Sequence, residues 1–234
     1  AYSQEVQIQP AQTKGTSLKA LKQQDSSSDV NAIISSQASK TKLRVTLAQF
    51  DSLKTTFTQT ITDLQGEELQ RASGELLLKK PQKLKWTIVL PDESVTIADG
   101  TNVFNIDPFL EQVTILDQAP LTRSNPLMLL ISDEQSQWEK VSVSEQISGD
   151  KNDVQGTNYT IVSLEPNALI EKVELTFNAQ NILVSMTSYD RQQQKNFLVF
   201  SNLELNTGVT EQDFAFIPND TYIVDDQREL SNTQ

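Results

Sequence analysis

Hydrophobic and polar residues follow two different periods along this chain. Between Lys42 and Phe50, Leu43, Leu47 and Phe50 recur at spacings of four and three, which predicts a short helix with one apolar stripe. Beyond it the period falls to two. In Phe57-Thr58-Gln59-Thr60-Ile61 threonines separate the other residues, the pattern of a strand. Strand-like segments then recur near 53–64, 69–79, 83–90, 94–98, 101–106, 111–116, 140–147, 157–164, 170–177, 182–189 and 195–205. Reversals such as Asp99-Gly100 and Ser148-Gly149-Asp150 separate them. About eleven short strands so closely spaced predict an antiparallel sheet, a barrel or a sandwich.

One segment breaks the series. Asn125-Pro126 has the form of an N-cap followed by a first-turn proline, and Leu127-Met128-Leu129-Leu130-Ile131 is apolar on every side. A helix with no polar face is buried, so this one is expected to plug or cover the sheet. A second short helix, Asp133 to Lys140, carries Trp138. Residues 1–40 are rich in Gln, Ser and Lys and lack sustained periodicity. They are expected to form a disordered extension, with Leu18–Leu21 and Val30–Ile34 as possible nascent helix, ahead of a single domain spanning 41–234.

Composition narrows the chemistry. Among 234 residues there is no His and no Cys, which removes the commonest general base, thiol nucleophiles, disulfides and zinc-thiolate sites. A net charge of −12 argues against phosphate recognition through a basic patch. With 7 glycines there is no Gly-rich phosphate loop, and no apolar run approaches the ~20 residues of a membrane helix. The chain begins at Ala1 rather than Met, compatible with removal of a leader. Neither a cofactor nor a metal is expected.

Candidate sites follow from what is left. Leu84, Trp86, Ile88 and Leu90 share one face of their strand, as do Val173, Leu175 and Phe177, and Ile182, Val184 and Met186. Such faces make either a plain sheet core or, with a covering helix, a ligand cavity. The pairs Asp92-Glu93, Asp133-Glu134 and Asp225-Asp226 read as solvated turns or helix N-terminal charges, because adjacent strand residues face opposite ways. Asp150-Lys151-Asn152-Asp153 lacks the distal glutamate of a calcium loop. Lys79-Lys80-Pro81 closes a strand and bends the chain; it is either an exposed charged strand end or a loop whose cation reaches oxygens on the covering helices and holds them shut.

Several stretches together resemble the LolA family of periplasmic outer-membrane lipoprotein carriers: Leu43–Gln59, Gly74–Trp86, Pro91–Gly100, Asp107–Gln112, Asn125–Leu130, Phe214–Pro218 and Val224–Gln227. They occur in order over residues 41–228. The resemblance implies an unclosed antiparallel β-barrel of about eleven strands under a lid of three helices. It implies a non-enzymatic, monomeric periplasmic carrier that receives acylated lipoproteins from the inner-membrane transporter LolCDE and hands them to the receptor LolB. It assigns Leu43, Leu47, Phe50, Leu53, Leu77, Trp86, Leu127 and Met128 to the cavity lining and Lys80, where the family has arginine, to the lid latch. Leu84, where the family has an aromatic residue, is assigned to cargo transfer and receptor contact. Lysine lacks the planar guanidinium fork, so a looser latch is expected. The alternatives are LolB itself, disfavoured because its anchor is an N-terminal Cys, a lipid- or peptide-sensing periplasmic domain of the same fold, and a carboxylate-dependent hydrolase with no recognisable motif.

Overall fold

The computed structural model describes residues 35–132, 134–149 and 154–229. The chain is helical over 35–47 (α1). It continues into β1 (Ser52–Thr62), β2 (Glu68–Lys79), β3 (Lys83–Leu90), β4 (Ser94–Ala98), β5 (Asn102–Asp107) and β6 (Gln112–Asp117). Three short helical pieces follow: α2 (Ala119–Ser124), a 3₁₀ helix (Pro126–Ile131) and α3 (Gln135–Glu139). The chain then forms β7 (Val141–Gly149), β8 (Val154–Ser163), β9 (Ile170–Asn178), β10 (Leu183–Asp190) and β11 (Lys195–Leu205). A 3₁₀ turn (Glu211–Phe214) and β12 (Ile223–Asp226) end the described chain.

All twelve strands join one sheet in the order β12-β6-β5-β4-β3-β2-β1-β11-β10-β9-β8-β7. The two outermost strands, β12 and β7, do not pair with each other, so the sheet is an unclosed barrel, as the resemblance implies. The eleven expected strands are all present. The twelfth, β12, runs parallel to β6, with Val224 opposite Val113. Its four residues Ile-Val-Asp-Asp carry no alternation, so no local signal marks it.

The helices differ from the expectation in three respects. Helix α1 already includes residues 35–40, which the compositional boundary at 41 placed in the extension. Ser39 and Lys40 are buried there, so a polar sequence belongs to the packed body. The rest of the extension, residues 1–34, and the loop 150–153 lie outside the described residues. Helix α2 was not anticipated, because Pro120 falls in its first turn and its six residues have no apolar stripe. The all-apolar segment does form a helix with the expected cap: the Asn125 side chain accepts from the Leu127 N–H at 3.0 Å. That helix is 3₁₀ rather than α.

Alternation along β1 explains the sheet's inner face. Leu53, Thr55, Phe57 and Gln59 are buried while Lys54, Thr56 and Thr58 are exposed. Leu76 and Leu78 of β2, Leu84 of β3, Leu175 of β9, Met186 of β10 and Leu198 of β11 join the same cluster, capped by Leu43 and Leu47 of α1 and by the 3₁₀ helix. A second cluster lies on the other face of β4–β6, where Ile97, Phe104, Ile106, Val113 and Ile115 pack against Phe214, Phe216 and Tyr222 of the C-terminal segment. Strands covered on both faces read as nearly continuous apolar runs, and Leu76-Leu77-Leu78 is one of them.

At the centre of the inner face, Phe57 stacks on Trp86 with ring centroids 3.8 Å apart and planes 17° from parallel. Gly74 lies between their strands, paired with Phe57 on one side and Ile88 on the other. A Cβ at Gly74 would lie 1.8 Å from the Thr87 carbonyl oxygen, so only glycine permits this approach of β3.

Candidate functional site

Between the inner face and the helical pieces lies a cavity of about 410 Å³, within the ~300–1,000 Å³ of ordinary ligand pockets. Leu84, Trp86 and Ile88 of β3, Leu127 of the 3₁₀ helix, Met186 and Leu198 supply its apolar walls. The 3₁₀ helix stands between this cavity and two smaller spaces. Met128 and Leu129 border one of about 270 Å³, and Leu130 borders one of about 340 Å³ along the flank of α1. Leu127, Met128, Leu130 and Ile131 are all buried in the inner cluster and Leu129 packs against it, and this explains the sequence Leu-Met-Leu-Leu-Ile.

Helix α1 is fastened over the sheet by polar side chains at its rim. Lys80 Nζ donates to the Leu47 carbonyl oxygen at 2.7 Å, at the C-terminal end of α1. A cation is favourable there, because the last carbonyls of a helix lack intrahelical partners and carry the negative end of its dipole. The same ammonium stands 4.7 Å from the centre of the Phe50 ring. Arg44 donates to the Gln135 side chain of α3 and lies over the Trp138 ring. Lys42 pairs with Glu145 of β7 at 2.7 Å, and the Ser36 hydroxyl accepts from the Val143 N–H of that strand. The Glu145 carboxylate raises the Lys42 ammonium above its ordinary value, while burial pushes the Tyr159 phenol up.

A carboxamide secures the Lys80 loop from below. Gln118, 2% exposed, donates to the Gln82 carbonyl and accepts from the Gly100 N–H at 2.7 Å. Gln82 in turn reaches Glu134, at the start of α3, at 3.2 Å. The loop is therefore tied both to the β4–β5 turn and to the helical cover.

The structure sorts the expected site residues. Leu43, Leu47, Phe50 and Leu53 are buried in the inner cluster, Trp86 and Leu127 line the large cavity, and Met128 lines the smaller space beside it. Leu77 does not face the cavity. It packs with the outer cluster, because the β2–β3 register sets Leu76, not Leu77, opposite Trp86. Leu84, expected at cargo transfer and receptor contact, does not reach the surface in this structure. It is 0% exposed and forms part of the cavity wall, flanked by Lys83 and Lys85 on the opposite face of β3. Sequence reasoning missed Phe57, Leu198 and the polar wall residues Gln59 and Asn196. Gln59 was recoverable: it continues the buried phase of Leu53, Thr55 and Phe57.

Comparison with known proteins agrees with this arrangement. The family model of the outer membrane lipoprotein carrier protein LolA matches residues 48–217. The chain belongs to the LolA family. It is similar to an outer-membrane lipoprotein carrier protein of Idiomarina loihiensis, 35% identical over 192 residues, covering 82% of this chain and 89% of that one. A carrier protein of Pseudoalteromonas translucida is 31% identical over 187 residues, covering 77% and 84%. Among solved structures, an uncharacterized conserved protein from Thermus thermophilus superposes with a TM-score of 0.49 at 11% identity, over 80% of this chain and 99% of that one. LolA proteins are carriers, and among the described residues the walls of this cavity bear no acid–base or nucleophilic constellation.

Proposed function

We propose that this protein carries acylated lipoproteins through the periplasm, taking them from the inner-membrane transporter LolCDE and delivering them to the outer-membrane receptor LolB. The observation that carries this reading is an apolar cavity roofed by helices and closed by polar contacts at the rim. Acyl chains cost about 0.8 kcal/mol per CH₂ in water, so a carrier must bury them during transit. Release without an energy source requires that the loaded state be only moderately favoured. Closing the roof onto the sheet, through Lys80 and Leu47, Arg44 and Gln135, and Lys42 and Glu145, sets a cost of opening that is subtracted from acyl-chain burial.

Inward movement of cargo displaces the 3₁₀ helix, whose removal joins the large cavity to the spaces beside it. The partition is capped by Asn125 at its N-terminus, tied at its C-cap by the Trp138 indole to the Ser132 carbonyl, and otherwise held by apolar contact, which acyl chains replace at little net cost. The test is release of radiolabelled lipoprotein from spheroplasts by the purified protein, followed by mass spectrometry of the recovered complex. A one-to-one complex with a triacylated lipoprotein is the expected result. Failure to release lipoprotein, with the protein recovered empty, would overturn the reading.

A further inference from the structure

One end of the large cavity is walled by uncharged polar side chains. Cross-strand pairing aligns Ser188 of β10 with Asn196 of β11, Asn196 with Ile61 of β1, and Ile61 with Gln70 of β2. All four border the cavity, as do Gln59 one rung further in and Asn105 across it. Gln59, only 8% exposed, donates from Nε2 to Asn196 Oδ1 at 3.0 Å. Ser188 is 5% exposed. Two carboxamides coupled in this way keep the carbonyl oxygen and the second N–H of Gln59 and both N–H donors of Asn196 for a ligand.

Charge is absent from this wall. Among the described side chains that border the cavity there is no Asp, Glu, Lys or Arg. The nearby cations fall on the opposite face of their strands. Arg71 pairs with Glu68, Lys195 stands over the Phe197 ring, and Lys85 is aligned with Leu77 and Ile97 of the outer cluster. Among the described side chains of the adjoining space of about 350 Å³, which also takes in Ser188 and Asn196, the one charge is a carboxylate, Asp190.

We infer that this carboxamide rung binds the uncharged ester and amide groups at the root of the acyl chains, and that the cavity thereby selects neutral acylated amphiphiles over fatty acids and phospholipids. The inference rests on the carrier reading and names the chemistry of the cargo's head. Aliphatic walls accept any acyl chain, so discrimination must come from the polar end. An ester or amide exchanges water for carboxamide hydrogen bonds there. An ionised carboxylate or phosphate loses water without gaining a cation and faces Asp190 besides. An envelope rich in phospholipid makes that exclusion useful to a carrier, since lipid would otherwise fill the cavity.

The test is competition against a fluorescent naphthylphenylamine probe in the cavity at pH 8, using a triacylated Cys-Ser lipopeptide amide, methyl palmitate and palmitate. The wild-type protein is expected to bind the lipopeptide tightest and palmitate weakest. Gln59→Leu with Asn196→Leu removes both members of the pair, and should lower lipopeptide affinity relative to methyl palmitate by about threefold to tenfold, the worth of one or two net hydrogen bonds. Asn196→Lys, on a half-buried position, should raise palmitate affinity relative to methyl palmitate by a similar factor. Unchanged ratios in both variants, with lipopeptide still bound, would overturn the inference alone. A wild-type protein that binds methyl palmitate but not the lipopeptide would overturn the carrier reading, and the inference with it.

Discussion

Lys80 Nζ lies 2.7 Å from the carbonyl oxygen of Leu47, so a cation on the β2–β3 loop closes the C-terminal end of α1. A charge-assisted hydrogen bond of this kind contributes about 1.5–3 kcal/mol, enough to shift an open–closed equilibrium about tenfold or more. The contact ties the β2–β3 loop to the helix whose Leu43 and Leu47 pack on the inner face of the sheet.

Lys80→Leu is therefore expected to favour the open, cargo-holding state. Transfer of lipoprotein from the purified complex to receptor-bearing liposomes should slow about fivefold to tenfold, while loading is maintained. A transfer half-time equal to that of the wild type removes Lys80 from the latch.

Leu84 behaves as core in this structure. Leu84→Ala should destabilise the fold by about 2–5 kcal/mol, read as a lower urea midpoint with an unchanged slope. Leu84→Glu should yield little folded protein, because a carboxylate at a fully buried apolar site has no partner. A folded, cargo-loaded Leu84→Glu protein that fails only in delivery would instead restore the receptor-contact role.

Gly74→Ala places a methyl group against the Thr87 carbonyl and should force β3 away from β2. The expected cost exceeds about 2 kcal/mol, with a change in Trp86 fluorescence as its ring leaves Phe57. An unaltered emission spectrum and urea midpoint would mean that the strands already have room to part.

Alkaline pH should loosen α1 before the sheet. Lys42 and Tyr159 both have folded values raised above their ordinary ones, Lys42 by its bond to Glu145 and Tyr159 chiefly by burial. Groups raised in the folded state contribute stability that is complete below their unfolded values, near ~10, and is lost as pH rises through the folded ones. Thermal denaturation from pH 8 to 11 should show a falling midpoint, and Lys42→Met with Tyr159→Phe should flatten that fall. The Lys42 share is small, about 0.2–1 kcal/mol, because half of its side chain meets solvent.

Much of the fold was legible from local pattern. Period-two alternation located eleven strands, Asn125-Pro126 marked the start of the apolar helix, and ordered motifs pointed to the family. Local pattern failed where the partner is distant. Strand β12 exists because β6 offers an open edge, not because Ile223–Asp226 has a strand sequence. Leu76-Leu77-Leu78 is apolar throughout because the Phe214–Tyr222 segment covers the outer face, so the resemblance's placing of Leu77 in the cavity lining was off by one position.

By itself the sequence determined the strand positions and a mainly β class, its resemblance to the LolA family implied the unclosed barrel, and the lack of His and Cys removed imidazole and thiol chemistry. Tertiary structure alone decided the sign of each alternation, the burial of Leu84, the oxygen that Lys80 meets, and the gathering of Ser188, Asn196, Gln59 and Gln70 at one end of the cavity. The physical reason is that period two fixes which residues share a face but not which face is inside. That choice is made by register between strands far apart in the chain and by the segments that cover each side of the sheet.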